Sequence, residues 1–215
     1  MKKIAVVTGG AGFIGSHTVD LLLKKKFKVR VIDNFSSGHQ KNLQHHIKNK
    51  DLDLIKLDIT NKNNLKKIFT DTDYVFHFAG VGDIVPSIEN PEYYIRNNVM
   101  GTLNIVEACK NSKIKKLVYA ASSSCYGIAK VPTNESHPIN TLYPYALSKF
   151  QGEQLALHWS KVYNIPINSI RIFNAYGPRV RTTGAYGAVF GVFFKQKLSN
   201  KKLTVVGDGM QKRDF

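Results

Sequence analysis

Thr8-Gly9-Gly10-Ala11-Gly12-Phe13-Ile14-Gly15 is the stretch on which the architecture turns. It follows directly on Lys3 to Val7, an apolar run of strand length, and a helical period opens inside it and runs from Phe13 to Lys25. Gly9, Gly12 and Gly15 stand at three-residue spacing, and each has a mechanical reason to lack a side chain. Gly9 permits a tight strand-to-helix turn, Gly12 lets the backbone approach a pyrophosphate, and Gly15 lets the helix pack close to the sheet. The first turn of the helix supplies free N–H groups and partial positive charge to an anion. A second strand, Lys28 to Asp33, ends in an acid 18 residues past Gly15. A carboxylate there accepts hydrogen bonds from adenosine ribose hydroxyls and repels a 2'-phosphate, so the reading is NAD rather than NADP, with Gly9, Gly12, Phe13, Ile14, Gly15 and Asp33 as its contacts.

Outward from this turn, apolar strand-length runs continue at Asp53 to Leu57, Asp73 to Phe78, Lys116 to Ala121 and Ile167 to Phe173. Helical patterns lie between them at Asn63 to Phe69, Pro91 to Asn111 and Pro144 to Tyr163, with both prolines suited to first-turn positions. Alternating β and α elements imply an α/β fold with a doubly wound parallel sheet, an NAD-binding Rossmann domain over residues 1–173. From Asn174 to Gly187 the chain turns glycine-rich and loses its period, as a loop over a site does; a helix from Ala188 to Leu198 and a strand from Leu203 to Val206 are expected after it.

Composition narrows the function classes. With 215 residues, 43% hydrophobic and 21% charged, the chain is long enough to bury a core without disulfides or metals, and disorder, collagen and coiled coil are excluded. No run approaches the ~18 apolar residues of a membrane span, and Thr8-Gly9-Gly10 interrupts the only segment resembling an export signal. Cys109 and Cys125 form no metal or disulfide pattern, which suits a reducing compartment, and a cytoplasmic location is expected. The formal charge of +16 comes mostly from lysines scattered over helix ends and turns, so it reads as a solvated surface, not a nucleic-acid patch.

The reactive groups are sought next. Tyr-x-x-x-Lys places a phenol and an ammonium on one helix face, but ten tyrosines and 25 lysines give about one such spacing by chance, and the chain has two. Tyr126/Lys130 lies beyond a strand end, beside Gly127; Tyr145/Lys149 follows Pro144 on a helix and is the credible pair. A tyrosine of ordinary pKa near 10 needs a neighbouring cation to act as a base at neutral pH, and Lys149 is expected to lower the pKa of Tyr145. Ser122-Ser123-Ser124 follows the fifth strand, at the carboxyl edge where α/β folds place their ligands.

Together these segments resemble the extended short-chain dehydrogenase/reductase family, specifically its NAD-dependent nucleotide-sugar epimerases and dehydratases, and most closely the 4-epimerases of UDP-glucose or UDP-N-acetylglucosamine. The resemblance runs through TGGAGFIG (Thr8 to Gly15), Asp33-Asn34, Asp58-Ile59, HFAG (His77 to Gly80), NNVMGT (Asn97 to Thr102), SSSCYG (Ser122 to Gly127), YPYALSK (Tyr143 to Lys149), RIFNAYGPR (Arg171 to Arg179) and GDGMQKRDF (Gly207 to Phe215). It implies that Asn34, Asp58, Ile59, Phe78, Ala79, Gly80, Asn98 and Phe173 join the NAD contacts, with Asp58 and Ile59 at the adenine and Phe173 near the nicotinamide. It further implies that Tyr145, Lys149 and Ser122 are catalytic, and that Ser122, Ser123, Ser124, Tyr145, Asn174 and Arg213 meet a UDP-sugar. Tyr145 would take the O4 proton, a 4-keto sugar would form and turn over, and the hydride would return to its other face.

Relatives that dehydrate or decarboxylate place carboxylates just after the catalytic hydroxyl, where this chain has Ser123 and Ser124, so epimerisation leads. UDP-glucuronate 4-epimerisation, a one-way nucleotide-sugar reductase and a non-catalytic dinucleotide sensor are the competing readings. The resemblance also implies a homodimer through the helices at Pro91 to Asn111 and Pro144 to Tyr163, and a smaller substrate-binding lobe that begins within residues 174–215 and continues past Phe215. An incomplete reading frame is therefore expected. His39, His45 and His46 lack a matching Cys or carboxylate spacing, so no metal is expected, and His77 reads as a structural hydrogen-bonding residue.

Overall fold

The computed structural model describes residues 2–63, 65–180, 182, 189–205 and 207–212. In chain order it contains β1 (Ile4–Thr8), α1 (Phe13–Lys24), β2 (Lys28–Asp33), a 3-10 turn at Gln40–His46, β3 (Leu52–Lys56), α2 (Leu65–Phe69) and β4 (Tyr74–His77). Then come α3 (Val85–Glu89), α4 (Pro91–Ile95), a π-helical turn at Arg96–Met100, α5 (Gly101–Cys109), β5 (Lys116–Ser122), a 3-10 turn at Ser123–Tyr126, α6 (Pro144–Tyr163), β6 (Ile167–Ile172) and α7 (Val189–Leu198).

The strands pair in the order β3-β2-β1-β4-β5-β6, all parallel, the doubly wound arrangement of a Rossmann fold. Alternate residues of each buried strand feed opposite faces. Ala5, Val7, Val29 and Val31 pack with Val19, Leu22 and Leu23 of α1, whereas Val6, Ile32, Val75, Leu117 and Tyr119 pack with Ile105, Cys109 and Ala156 of α5 and α6. The winding reverses at β1, whose neighbours are β2 on one side and β4 on the other, so the carboxyl ends of β1 and β4 open a crevice. Register aligns Thr8 with both Ile32 and His77 at that edge. Among the described residues no helix is long and apolar enough to cross a membrane.

Two expected elements differ. The helix expected over Pro91 to Asn111 is broken by the π-helical turn, which inserts one residue into the winding and lets Asn97 and Asn98 both face inward. The strand expected at Leu203 to Val206 is not formed by Leu203–Val205, and Val206 lies outside the described residues. The Thr204 N–H is instead taken by the Gln196 side chain at 3.2 Å, and Gln196 donates to the Thr204 hydroxyl at 2.8 Å. Among the described residues the local β preference there has no strand beside it to satisfy its backbone.

The glycine turn shows why its spacing matters. Gly9 sits at φ +67°, and a Cβ there would lie 2.7 Å from the Ala79 backbone nitrogen, so β1 and β4 approach through bare backbone. A Cβ on Gly15 would collide with the Gly9 carbonyl oxygen and stand 2.8 Å from the Gly10 Cα, so Gly15 lets the helix close on its own turn and not on the sheet surface. Gly12 is roomier, its nearest obstacle being the Gly9 oxygen at 3.1 Å. Gly15→Ala is therefore expected to cost about 2 kcal/mol and lower Tm by about 4–8 °C. Gly12→Ala should leave Tm within about 2 °C while weakening NAD binding more than tenfold, as read by thermal unfolding and NAD titration.

Candidate active site

The crevice widens into a cleft of about 920 Å³ along the carboxyl ends of the strands. At one end, Gly9, Gly12, Phe13, Ile14 and Gly15 line it, and Gly12 caps α1 without any side chain or first-turn acid to occupy the free N–H groups. Such a helix start suits a diphosphate. Beside it, Asp33 is buried, its two oxygens accepting from the N–H of Ala11 at 2.9 Å and of Phe35 at 2.8 Å. A Cβ on Gly38 would lie 2.8 Å from that carboxylate, so the backbone opposite is kept bare and the acid stays open to ribose hydroxyls. Leu57 and Ile59 form an apolar wall, and Phe78, Ala79 and Gly80 continue it past β4. Apolar wall, bare helix start and strand-end acid fit NAD and leave no place for a 2'-phosphate beside Asp33.

Asp58 and Asn98 act one step behind this wall. Asp58 accepts from the Asn34 amide at 2.9 Å and from the Thr60 N–H and hydroxyl at 2.8 Å each, joining the loops after β2 and β3. Burial works against its charge, but those hydrogen bonds outweigh it and hold its pKa below the usual carboxylate value. Asn98 accepts from the Val81 N–H at 2.8 Å and donates to the Val81 carbonyl at 3.0 Å and to the Ser148 hydroxyl at 2.9 Å. Its side chain thus fixes the loop after β4 against α6, while Asn97 reaches the cleft. The extra residue of the π turn, invisible to a 3.6 period, decides which asparagine does which.

At the other end stand the hydroxyls. β5 delivers Ser122, and the 3-10 turn presents Ser123 and Ser124 beside it. Tyr145 donates to the Ser122 hydroxyl at 3.3 Å, which also accepts from the Ser124 N–H at 3.2 Å. With both lone pairs so used, the Ser122 proton points to the Ser124 oxygen 2.7 Å away, and the three form a directed chain. Phe173 and Asn174 border this end; Arg213 lies outside the described residues.

Pro144 opens α6 after an extended Tyr143, which places Tyr145 and Lys149 one turn apart and both inward. Lys149 lies behind Gly80, its ammonium 3.7 Å from where a Cβ there would stand and 4.7 Å from the Tyr119 ring centroid. Burial lowers its pKa to about 8, with the charge of Glu153 opposing the shift. Tyr145 is not lowered as expected from its spacing to Lys149. Burial raises it above its ordinary value, against hydrogen bonds involving Ser122 and Ser124, and the charge of Asp83 raises it further. The protein alone therefore holds Tyr145 as a phenol.

Four other arrangements could not be read from spacing. His77, lowered to about pKa 3 by burial and by the Lys149 charge, is neutral. Its Nδ1 and Nε2 meet the hydroxyls of Thr8 at 2.7 Å and Thr102 at 3.0 Å, and Thr102 donates onward to the Asn98 carbonyl at 2.6 Å. Thr102 must then accept from Nε2–H, which fixes the tautomer and makes His77 a structural link between β1, β4 and α5. Tyr126, of the rejected Tyr126/Lys130 pair, is buried and accepts from Arg171 at 2.8 Å, while Arg171 forks onto both oxygens of Glu153 at 3.0 and 3.1 Å. Tyr94 donates to the Gly82 carbonyl at 2.6 Å, and its ring stands edge-on to Tyr145 at 6.3 Å. Asp20, far from His45 and His46 in sequence, receives both imidazoles at 2.9 Å, and the Arg179 guanidinium lies 2.8 Å from its other oxygen, supplying the positive charge there.

Comparison with known proteins agrees with this geometry. Residues 5–215 match the model of the NAD dependent epimerase/dehydratase family. The chain belongs to that family. A putative UDP-glucose 4-epimerase of Methanocaldococcus jannaschii is 39% identical over 213 residues, covering 98% of this chain and 68% of that protein. A UDP-N-acetyl-alpha-D-glucosaminuronate decarboxylase of Bacillus cytotoxicus is 34% identical, covering 100% of this chain and 67% of that one. Among solved structures, a UDP-N-acetylglucosamine 4-epimerase from Methanobrevibacter ruminantium M1, in complex with UDP-N-acetylmuramic acid, superposes with a TM-score of 0.94 at 39% identity, over 100% of this chain and 69% of that one. This NAD-dependent epimerase/dehydratase family member thus spans about two thirds of the length of the relatives it matches.

The buried lysine carries a stability signature. A pKa of about 8 in the fold against an ordinary 10.5 means that below pH 8 the charge is buried at a cost of roughly 3 kcal/mol, a cost relieved as pH rises from about 8 to 10.5. Without added cofactor, Lys149→Met should therefore be more stable than the parent by roughly 2–3 kcal/mol at pH 7, with the gain fading towards pH 10, as followed by chemical denaturation. Equal stability at pH 7 would contradict this.

Proposed function

We propose that the protein catalyses NAD-dependent 4-epimerisation of a UDP-sugar, of the UDP-glucose/UDP-galactose or UDP-N-acetylhexosamine pair, through a 4-keto intermediate. The observation that carries this reading is the hydroxyl chain Tyr145–Ser122–Ser124 with no carboxylate at positions 123 and 124. Dehydration and decarboxylation in this family need an acid or base beside the catalytic hydroxyl, and two serines of ordinary pKa do not supply one. Glu153, the nearest acid along α6, is buried and tied to Arg171.

NAD, when bound, supplies the nicotinamide that accepts a hydride from the sugar carbon and returns it. The protein's own groups do the rest. Tyr145 removes the proton from the sugar hydroxyl, for which its phenol must ionise; burial opposes this, so the cations that lower its pKa are needed. Lys149, poised near pKa 8, carries charge at neutral pH and would hydrogen-bond the ribose hydroxyls beside the nicotinamide. Ser122 hydrogen-bonds the sugar oxygen and keeps its proton throughout, turning it from Ser124 towards Tyr145 when that phenol is ionised. The Gly12 to Ile14 backbone would hold the pyrophosphate of NAD and Asp33 its adenosine ribose, Phe173 would lie near the nicotinamide, and Asn174 with Arg213 would meet the nucleotide diphosphate of the substrate. Residues 174–215 begin the substrate-binding lobe, and a homodimer forms through α4, the π-helical turn, α5 and α6, which leave Tyr93, Met100 and Leu147 exposed.

The full-length protein, given UDP-galactose or UDP-N-acetylgalactosamine without added NAD, is expected to produce the matching gluco sugar, seen in its anomeric proton signals. Tyr145→Phe should lower kcat about 1,000-fold and Ser122→Ala about 100-fold, both with NAD still bound. A Tyr145→Phe protein of undiminished turnover would remove the proposed base.

A further inference from the structure

Behind the reactive face of α6 lies an acid that the chemistry does not use. Glu153 follows Lys149 by four residues, one helical turn further along the same inward stripe, and the two are 4% and 7% exposed. Opposite charges at this spacing pair readily, the more so when buried. Here they do not. Among the described residues the Lys149 ammonium makes no ion pair, and both Glu153 oxygens accept instead from the Arg171 Nε–H, at 3.0 and 3.1 Å. Arg171 lies on β6 in register with Ala121 of β5, on the sheet face that packs under α6. Its Nη1 donates to the Tyr126 hydroxyl at 2.8 Å and to the Glu135 carbonyl at 3.3 Å, and its guanidinium carbon stands 4.9 Å from the Tyr126 ring centroid. Its direction is thus set from outside α6. The other titratable groups around the pair are uncharged at neutral pH. Burial and the Lys149 charge lower His77 on β4 to about pKa 3, and burial raises Tyr119 on β5, Cys125 on the 3-10 turn and Tyr145 on α6. The Asp83 charge is felt at Tyr145; the charge felt at Lys149 is that of Glu153, which opposes the lowering by burial to about pKa 8.

Resting on the epimerase reading above, in which Lys149 serves as a cation, we propose that Arg171 is a positioning residue: it holds the Glu153 carboxylate off Lys149, so that the acid steadies the ammonium from one turn away without capturing it. Freed of Arg171, Glu153 would turn to the cation on its own helix and pair with it directly, drawing the ammonium away from the cleft and tightening its hold on its proton. Without Glu153, Lys149 would face the cost of burial unopposed and give up its proton sooner. Both the place and the charge of Lys149 then depend on a residue that is not among those lining the cleft.

The test follows the Lys149 titration directly by NMR, in the full-length holoenzyme labelled with carbon-13 at the lysine Cε, the Lys149 signal being the one lost in Lys149→Met. Relative to the parent, Arg171→Gln should titrate at least about one pH unit higher and Glu153→Gln at least about one unit lower, opposite shifts that a loss of packing alone does not produce. Arg171→Lys keeps a cation for the acid but loses the planar grip, so it should titrate between the parent and Arg171→Gln. Glu153→Gln/Arg171→Met removes both charges together, leaves neither buried and unpaired, and should titrate below the parent. These two variants keep the test decisive where a single neutral substitution fails to fold. On the epimerase reading, the alkaline limb of kcat/KM for the UDP-sugar should move with the titration in each variant. Shifts of the same sign in Arg171→Gln and Glu153→Gln, or a titration unchanged from the parent in Arg171→Gln, Arg171→Lys or the double variant, overturns the proposal and leaves the epimerase reading in place. A parent that converts no UDP-sugar overturns that reading, while the titrations still decide whether Arg171 holds the acid off Lys149.

Discussion

Burying the Lys149 ammonium is the constraint around which the reactive half of the molecule is arranged. The residue is almost wholly enclosed, at 7% exposure, and among the described residues its ammonium makes no ion pair. It rests on the Tyr119 ring, behind Gly80, with Glu153 close enough to oppose the lowering of its pKa while that acid is committed to Arg171. A lysine so placed is costly to the fold and near its titration point at neutral pH. On the proposed reading, in which Lys149 takes part in the chemistry, that cost is stability given up for function.

The surrounding network holds the cost in place. Thr8, His77, Thr102 and Asn98 form a buried polar chain from β1 through β4 to α5, the two His77 nitrogens meeting Thr8 and Thr102, Thr102 donating to the Asn98 carbonyl, and the Asn98 amide reaching Ser148 on α6. Through the Asn98 amide it also fixes Val81 in the loop after β4, next to the Gly80 that faces Lys149. The two ends of the cleft differ in character. Near α1 the field favours anions, through the bare helix start, Lys41 and Arg179. Near Tyr145 the lining is the hydroxyl groups of Ser122, Ser123 and Ser124.

Much of this was written locally. The glycine turn, the strand-end Asp33 and the six strands follow from period and punctuation because each depends on neighbours within a few residues, and the parallel, doubly wound sheet follows from the αβ alternation, while its strand order does not. Tyr145 and Lys149 were legible because i and i+4 share a face. The failures all involve contacts across the fold. Nothing in the run Arg96 to Met100 announces a π turn, so the division of labour between Asn97 and Asn98 was hidden. The pKa of Tyr145 follows from how deeply Pro144 seats α6, which spacing does not encode. Leu203–Val205 has strand residues and no strand to pair with. Asp20 meets His45 and His46 only because α1 packs beside the Gln40–His46 turn.

A redox cycle closed within one active site is the central claim, and isotope retention tests it most directly. UDP-galactose carrying deuterium at C4 and unlabelled UDP-N-acetylgalactosamine are mixed with the full-length protein in ordinary water without added NAD, and the products are analysed by mass. The account predicts that the deuterium stays at C4 of the molecule that brought it, with none lost to water and none passed to the other sugar. Label washed into solvent, or turnover that requires stoichiometric added cofactor, would contradict it.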